Sequence, residues 1–221
     1  FHAHVDARPE SFADLGLLLV GGDVLNPGAA ATVLGQTSGC PERFVNGYGP
    51  TENTVFSTVA RVQPERPGYA VPIGRPIAGS TCYVVDPEGR LVPVGFPGEL
   101  WVGGAGLALG YDGLEEATRS CFVAAPEALG SSAGLLYRTG DRVRWRADGQ
   151  LDFLGRVDQQ IKIRGQRLEP GEVSAVAMRH EDVRQAVAVA TRNETPELVL
   201  AYTLGPRSRL NDLQLMAHLS L

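Results

Sequence analysis

The sequence has 221 residues, with 20 Lys and Arg against 25 Asp and Glu, which gives a formal charge of −5 at pH 7. Hydrophobic residues make up 43% of the chain and charged residues 20%, a composition typical of a protein that folds around its own core. The mild acidity argues against sequence-independent binding to nucleic acid, which requires clustered Lys and Arg to neutralise phosphates. No apolar run approaches the roughly 20 residues of a membrane-spanning helix.

Cysteine usage indicates the redox environment. Cys40, Cys82 and Cys121 are far apart in the sequence, and the odd count leaves one thiol unpaired in any disulfide scheme. A reduced, cytoplasmic protein is the simpler interpretation. The chain begins at Phe1 with neither an initiator Met nor a signal-peptide pattern, so we expect a segment of a longer protein.

Residues 1–70 alternate between strand-like and helix-like segments. The apolar run at 17–20, followed by two glycines, predicts a buried strand of a parallel sheet. A short helix is predicted over 29–34 and a second strand at 44–45. This part of the chain is therefore expected to be α/β.

Residues 71–157 change to a mainly β pattern. The turn pairs Glu88-Gly89 and Asp148-Gly149 favour hairpins between short β-prone runs. One helix is predicted near 115–122. The predicted strands are 81–85, 99–102, 143–145 and 151–154.

Residues 158–221 predict a small second unit with the order β-α-β-β-α. A strand at 160–163 precedes a helix that begins near Pro170, where apolar residues recur with the period of a helix. Two further strands are predicted at 186–190 and 198–204. A last helix begins at Asp212.

Residues 46–54, which follow the second predicted strand, are the most informative stretch. Loops at the carboxyl ends of parallel strands commonly bind ligands. Gly47 lets the backbone approach a flat ligand, and Tyr48 offers an aromatic face. Thr51 offers a hydroxyl to a phosphate, and Glu52 offers a hard oxygen ligand to Mg²⁺. An ordinary Gly-Pro turn with a surface glutamate explains these residues equally well until their neighbours are considered.

Six motifs occur in a fixed order along the chain. They are Gly-Gly-Asp at 21–23, Asn-Gly-Tyr-Gly-Pro-Thr-Glu at 46–52, Pro-Ile-Gly-Arg-Pro at 72–76, Gly-Glu-Leu-Trp-Val-Gly-Gly at 98–104, Tyr-Arg-Thr-Gly-Asp at 137–141 and Gly-Arg-Val-Asp-Gln-Gln-Ile-Lys-Ile-Arg-Gly at 155–165. With them the sequence resembles the adenylation domain of nonribosomal peptide synthetases, which are adenylate-forming, acyl-CoA-synthetase-like enzymes of natural-product biosynthesis.

The resemblance implies an α/β fold truncated at both ends, because a complete domain of this family is more than twice as long. Residues 1–157 would be the C-terminal part of the large core, with an α/β sheet portion in 1–70 and a mainly β portion, part of a distorted barrel, in 71–157. Residues 158–221 would begin the mobile, α+β C-terminal subdomain.

The implied reaction has two steps. The carboxylate of an amino acid attacks the α-phosphorus of MgATP to give aminoacyl-AMP and pyrophosphate, and a phosphopantetheine thiol on a peptidyl carrier protein then takes the acyl group. The family's phosphate loop and catalytic lysine have no counterpart in these residues. The chain alone is therefore expected to be inactive or nearly so.

The resemblance assigns nucleotide contacts residue by residue. Tyr48 would stack on adenine, and Asn46 would reach its exocyclic amine. Thr51 would contact the α-phosphate, and Glu52 would hold Mg²⁺. Asp141 would accept both ribose hydroxyls, since one carboxylate presents two oxygens to a cis-diol. The remaining expected nucleotide contacts are Gly22, Asp23, Gly47, Phe153 and Arg156, of which Arg156 joins Thr51 and Glu52 as a catalytic candidate.

Two of these assignments have simpler readings. Asp141 follows a glycine and is equally typical of a turn aspartate. Arg156 is equally typical of a surface strand arginine paired with a nearby acid.

The resemblance also implies a pocket for the amino-acid side chain. Its members in this chain would be Leu19, Gly21, Gly47, Val55 and Phe56. Two glycines, two aliphatic residues and a phenyl ring favour a small or medium apolar side chain, valine-like first and cysteine next. The aspartate that pairs with the substrate's α-amino group would precede Phe1.

Asp158 matches the family's hinge, about which the small subdomain rotates between the two steps. Lys162, Arg164 and Gly165 match the loop that serves thioester formation, although an amphipathic edge strand also explains residues 160–164. Leu109, Pro170 and Ser174 depart from the family's usual residues. These departures concern the conformation that serves thioester formation, and they do not concern nucleotide binding.

Other interpretations remain open. Residues 131–135 are a candidate patch for an MbtH-like helper protein, which would make the piece a partner-binding element, and the parent chain could carry an inserted methyltransferase. Residues 130–134 fit the Gly-x-Ser-x-Gly pattern of a hydrolase with Ser132 as nucleophile, but no strand-turn-helix context is predicted there. The glycines at 103–106 lack the Lys of a P-loop, and His2 and His4 are too few for a zinc site.

Overall fold

The computed structural model describes residues 1–37, 39–63, 70–129, 134–158, 160–163, 166–191, 197–206 and 208–220. The chain forms two compact units, Phe1–Val157 and Asp158–Leu221. In the described part of the chain, no helix combines the length and the apolar character needed to cross a membrane.

The first sheet of the larger unit has four strands, ordered along the sheet as in the sequence. Its first two strands are parallel, with Leu19 opposite Val45 and Gly21 opposite Gly47, and the other pairs are antiparallel. The parallel pair predicted from the two apolar runs is confirmed, but the expected burial of the first strand is wrong, because Leu17 is 50% and Leu19 44% exposed. The strands are β1 (Leu18–Gly21), β2 (Phe44–Tyr48), β3 (Thr58–Arg61) and β4 (Arg75–Pro76).

Two helices cover this sheet, α1 (His2–Ala7) and α2 (Pro27–Leu34). No helix was predicted at α1. The helix predicted over 29–34 is confirmed as α2 and begins two residues earlier, because the Asn26 side chain accepts hydrogen bonds from the N–H groups of Gly28 and Ala29 and so caps it. Val5 and Val33 pack with Phe44 in the local core. The two helices and the first sheet therefore share one apolar core.

The second sheet is antiparallel and mainly follows the prediction of a β region. Its order is β5-β6-β8-β7, with β9 paired to β8. The turns at Gly89 and Gly149 have φ values of 78°, which glycine adopts without strain. The elements are β5 (Ser80–Val85), β6 (Gly98–Gly104), α3 (Glu115–Cys121), β7 (Phe122–Ala124), β8 (Leu135–Trp145) and β9 (Leu151–Arg156).

Two boundaries differ from the sequence prediction. The strand expected at 143–145 is only the end of β8, which starts at Leu135. The helix expected to reach 122 ends at Cys121, because Phe122 is drawn into the core beside Tyr137 and starts a strand. The main apolar core of this unit lies between the second sheet and the end of β2, where Tyr48 packs.

The smaller unit has the order β-β-α-β-β-α, so the predicted order β-α-β-β-α was wrong by one strand. The missed strand contains only three residues, two of them polar, and forms a hairpin with its predecessor. So short a run gives no periodic signal. The elements are β10 (Ile161–Ile163), β11 (Gln166–Leu168), α4 (Pro170–Ala177), β12 (Val183–Ala190), β13 (Leu198–Leu204) and α5 (Asp212–Leu219).

Ser174 fastens α4 to the neighbouring hairpin. Its hydroxyl donates to the Pro170 carbonyl at 2.9 Å and accepts the N–H of Ala188 at 2.9 Å. Ala177 and Leu215 meet in a separate small core. Ser174, which departs from the family's usual residue, thus links α4 to β12 by hydrogen bonds.

Candidate functional site

The centre of the candidate site is the carboxylate of Asp141, which lies on β8. Tyr48, at the end of β2, donates its phenol hydrogen to Asp141 Oδ2. Arg156, opposite Asp141 at the end of β9, donates from one Nη1 both to Asp141 Oδ1 at 2.7 Å and to the Thr139 carbonyl at 3.0 Å. The structure therefore joins three of the predicted residues into one cluster, named here the Tyr48–Asp141–Arg156 cluster.

This cluster is buried. Asp141 is 5% exposed and Tyr48 is 9% exposed. Burial, and then the adjacent Asp141, raise the pKa of Tyr48 well above its usual value, so the phenol stays protonated and remains a donor. The arginine supplies the positive charge that a buried carboxylate requires.

Two further predicted residues lie on the strands that carry Tyr48 and Arg156. The ring of Phe153 lies 6.4 Å from the ring of Tyr48, measured between centroids, at an interplanar angle of 39°. Asn46 is buried on β2, and its side-chain nitrogen donates to the Pro72 carbonyl at 2.9 Å. The tyrosine ring itself is packed in the core and is not displayed on the surface.

Glu52 lies in a single helical turn, Thr51–Asn53, that follows β2. Its carboxylate oxygen Oε1 accepts a hydrogen bond of 2.6 Å from the hydroxyl of Tyr111, and its carbonyl accepts the N–H of Ala108 at 2.8 Å. The side chain of the preceding Thr51 is exposed. The turn is thus fastened to the segment after β6.

Sequence reasoning missed Tyr111. It ends the Ala-Leu-Gly-Tyr stretch at 108–111, of which only Leu109 was singled out, as a departure from the family's usual residue. Burial, and then the hydrogen bond to Glu52, raise the pKa of Tyr111 above its usual range, so its hydroxyl also remains a donor. The only signal in the sequence was a Gly-Tyr pair close after the motif at 98–104, and it does not indicate the contact with Glu52.

The loop between Glu52 and β3 is strained. Thr54 and Val55 have φ values of 49° and 64°, and β-branched residues rarely adopt this left-handed region. The Thr54 hydroxyl donates to the Gly106 carbonyl at 2.7 Å, which holds the turn. Val55 is 64% exposed, so packing of its own side chain does not explain the conformation. Phe56 follows these two strained residues directly in the sequence.

Three of the five residues predicted to line an apolar pocket, Gly21, Gly47 and Phe56, contact one another, whereas Val55 is 64% exposed. A Cβ built at Gly47 would lie 2.6 Å from the Phe56 ring, and one at Gly21 would lie 2.7 Å from that ring and 2.5 Å from the Gly47 carbonyl oxygen. Leu19 and Gly21 are two positions apart on β1 and so share one face of the sheet. Phe56 therefore covers the two glycines on the side where Leu19 lies.

Gly22 and Asp23 follow β1 directly. Gly22 has a φ of 91°, and Asp23 accepts the N–H of Val24 at 2.7 Å through its own carboxylate. This contact is local turn chemistry. A part for these two residues in nucleotide binding stays a prediction.

Several residues with a predicted role lie outside the residues that the structure describes, or next to them. Arg164, Gly165, the side chain of Lys162, and residues 131–133, including Ser132, lie outside the described residues. Asp158 begins the smaller unit, and its Oδ1 accepts the N–H of Gln160 at 3.0 Å. The hinge and thioester-loop assignments therefore stay predictions.

Two weaker motifs have structural explanations. Gly104 has a φ of 111°, and a Cβ there would lie 2.0 Å from the Gly79 carbonyl oxygen, whereas a Cβ at Gly106 would lie 3.2 Å from the Asn53 carbonyl oxygen, so these glycines allow close backbone contacts. His2 accepts the N–H of Asn26, and His4 contacts the Ser11 hydroxyl. Among the residues that the structure describes, no group of three or more His, Cys, Asp and Glu side chains could hold a metal ion.

A family model described as AMP-binding enzyme matches residues 2–112, half of the chain. Gramicidin S synthase 2 of Brevibacillus brevis is 41% identical over 212 residues, which cover 96% of this chain and 5% of the synthase. Tyrocidine synthase 3 of Brevibacillus parabrevis is 40% identical over 214 residues, covering 96% of this chain and 3% of the synthase. The chain thus spans only a small part of these relatives.

Solved structures are similar over most of the chain. A fused adenylation–PCP di-domain, NpsA-ThdA from Klebsiella oxytoca, matches 99% of this chain and 40% of its own, with a TM-score of 0.82 and 26% identity. PA1221, described as a nonribosomal peptide synthetase protein containing adenylation and PCP domains, matches 93% of this chain and 41% of its own, with a TM-score of 0.80 and 33% identity. The fold is therefore that of part of the adenylation domains, and the chain belongs to the family of AMP-binding enzymes.

Proposed function

We propose that this chain is part of an amino-acid-activating adenylation domain of a nonribosomal peptide synthetase. The observation that carries the proposal is the buried Tyr48–Asp141–Arg156 cluster, with Glu52 four residues further along the loop from Tyr48. The reaction is ATP-dependent formation of aminoacyl-AMP, followed by acyl transfer to the phosphopantetheine thiol of a carrier protein. A carrier-domain partner is supported by the adenylation–PCP organisation of the similar solved proteins.

The cluster suits the sugar of a nucleotide. Asp141 accepts the two ribose hydroxyls, since a carboxylate has about four acceptor positions on two oxygens and can serve both protein donors and a cis-diol. Arg156 fixes the orientation of that carboxylate and would add positive charge for the nucleotide phosphates. Tyr48, Phe153 and Asn46 are assigned to the adenine side of the site, and of these Tyr48 and Asn46 are buried in this structure.

The residues at Glu52 fit a magnesium ion. The donor set is one carboxylate, and Mg²⁺ is usually bound through one or two carboxylates together with substrate phosphates and water. Glu52 would hold the ion, and Thr51 would donate its exposed hydroxyl to the α-phosphate. A bound Mg²⁺ would supply positive charge at the phosphates, which stabilises the charge of the phosphoryl-transfer transition state.

The substrate is proposed from the apolar surface at Phe56. The ring covers Gly21 and Gly47, which leaves little depth on this side of the pocket. A small or medium apolar amino acid such as valine fits this surface, with cysteine as the second choice.

The remaining parts of the proposal concern the parent protein. It would be cytoplasmic, with Asp158 as the hinge and with Lys162, Arg164 and Gly165 serving the thioester step. An MbtH-like helper at residues 131–135 is tested by co-purification with variants that place charged residues around Ala133, and a helper that stays bound to them would rule the patch out. A methyltransferase inserted in the parent chain is tested by the intact mass of the expressed polypeptide.

Amino-acid-dependent exchange of pyrophosphate into ATP tests the proposed function. The complete parent enzyme is assayed across the amino acids, with Asp141→Asn and Glu52→Gln as variants and the turn variant Asp148→Asn as control. We expect a preference for valine or another small apolar amino acid, and losses of about a hundredfold for the two site variants, since such electrostatic contacts typically contribute that much. Full exchange by both site variants would refute the proposed site. Exchange at the parent's rate by the isolated 221-residue chain would refute the expected dependence on the missing elements.

A further inference from the structure

The contact between Tyr111 and Glu52 is built from residues that are distant in the sequence. The hydroxyl of Tyr111 donates to Glu52 Oε1 at 2.6 Å, the length expected of a hydrogen bond from a neutral hydroxyl to a charged oxygen. The same hydroxyl lies 3.3 Å from the hydroxyl of Tyr137. Because a phenol has a single hydrogen, a donation from Tyr111 to Glu52 requires that Tyr137 is the donor in the second contact. The order of donation is therefore Tyr137, Tyr111, Glu52.

The Tyr111 ring is held by aromatic packing. It meets Phe122 edge to face at 5.6 Å between centroids, and Phe122 in turn meets Tyr137 at 5.1 Å. Tyr137 has no exposed surface and Phe122 is 6% exposed. A ring fixed in this way presents its hydroxyl at a defined place.

The backbone of Tyr111 is held as well. Its N–H donates to the Thr118 hydroxyl on α3 at 2.9 Å. A Cβ at the preceding Gly110 would lie 2.5 Å from Thr118 Cγ2, and the φ of Gly110 is 150°, so a glycine allows this close approach. Backbone and ring together leave the hydroxyl directed at Glu52 with little freedom.

We propose that Tyr111 is a positioning residue that orients the Glu52 carboxylate for a divalent cation bound with the nucleotide phosphates. The inference rests on the proposed function, in which Glu52 is the cation ligand. Tyr111 touches neither the cation nor the nucleotide, and its effect passes through Glu52. Outer partners of metal-binding carboxylates restrict their rotation in this way and contribute about 10- to 100-fold to metal affinity.

The test is nucleotide binding by the complete parent enzyme, measured calorimetrically without turnover. ATP is titrated at a series of Mg²⁺ concentrations, and AMP is titrated in EDTA. Tyr111→Phe keeps the ring against Phe122 and removes only the hydroxyl. Tyr83→Phe is the matched control, since Tyr83 packs beside Trp101 and Leu136 in a separate apolar cluster.

We expect Tyr111→Phe to raise the Mg²⁺ concentration for half-saturation by about tenfold and to leave AMP affinity in EDTA within about twofold. Glu52→Gln should have at least the same effect, and the double variant should add nothing to it, because both act at one carboxylate. Tyr83→Phe should match the wild type in both titrations.

Two results would overturn the inference alone. One is an unchanged Mg²⁺ dependence in Tyr111→Phe when Glu52→Gln loses it. The other is an equal loss of AMP affinity in EDTA, which would indicate a merely structural role. If neither variant changes the Mg²⁺ dependence, the assignment of Glu52 in the proposed function is wrong, and the inference is wrong with it.

Discussion

Tyr48 donates its phenol hydrogen to the carboxylate of Asp141, although the two residues are 93 positions apart in the sequence. Tyr48 ends β2 of the first sheet, and Asp141 lies in the middle of β8 of the second. The hydrogen bond therefore joins the two sheets of the larger unit at one buried point. A ligand that engages Asp141 would therefore bind at the point where the two sheets are joined.

Tyr48→Phe should destabilise the protein by about 2 kcal/mol, because it removes a hydrogen bond to a buried charged group. Urea unfolding at pH 7 measures the change. Tyr83→Phe is the control and should cost less. Equal losses in the two variants would mean that the hydroxyl of Tyr48 contributes nothing specific to the cluster.

Gly47→Ala should destabilise the protein by about 1–3 kcal/mol, since the added methyl group meets the Phe56 ring at 2.6 Å. Phe56→Ala removes the obstructing ring. In the double variant we therefore expect the cost of the alanine at 47 to fall, with a coupling free energy of about 1 kcal/mol or more in a double-mutant cycle. Additive losses would show that the ring does not press on this glycine.

Val55→Asn should raise the free energy of unfolding by about 1 kcal/mol. Its φ of 64° strains a β-branched residue, whereas asparagine tolerates this region, and the exposed valine side chain has little packing to lose. Val187→Asn, at an exposed strand position, is the control and should be neutral or destabilising. A lower stability of Val55→Asn would contradict the strain.

Cys82 should make stability depend on alkaline pH. Burial raises the pKa of its thiol from 9.0 to about 12. Between these values the unfolded chain releases the proton while the folded chain keeps it, so stability is complete below pH 9 and decreases as the pH rises toward 12. Tyr48 and Tyr111 begin to contribute only above about pH 10, their usual pKa.

The comparison that isolates Cys82 is urea unfolding at pH 8, 9 and 10. The wild type and the exposed-cysteine variant Cys40→Ala should lose stability from pH 9 to 10, and Cys82→Ala should lose less. The same loss in all three proteins would assign the alkaline effect to other groups.

Local patterns predicted much of the fold. The apolar runs before the glycines at 21 and 47 predicted the parallel pair β1–β2, and the Asp148-Gly149 turn predicted the hairpin of β8 and β9. The helix predicted over 29–34 is α2, although its true start after the cap at Asn26 was not predicted. In contrast, the three residues of β11 are too few for any periodic signal, and the early end of α3 depends on the burial of Phe122.

The candidate site was predictable only in part. Ordered motifs indicated that Tyr48, Asp141 and Arg156 serve one ligand. The alternative for Arg156, pairing with a nearby acid, anticipated its contact with Asp141 without naming that partner, and nothing indicated the hydrogen bond from Tyr48. The contact of Tyr111 with Glu52 spans 59 positions and depends on how α3 holds the tyrosine backbone. Such contacts arise from tertiary packing, which single-sequence patterns do not encode.

The central claim is that Asp141 receives the ribose of a nucleotide, and a paired calorimetric titration tests it most directly. AMP and 2′,3′-dideoxy-AMP are titrated into the complete parent enzyme, its Asp141→Asn variant and the control Asp148→Asn. We predict that wild type and control prefer AMP by at least about tenfold, as expected for hydrogen bonds to a charged group, and that Asp141→Asn loses most of this preference. An undiminished preference in Asp141→Asn, or no preference in the wild type, would contradict the account.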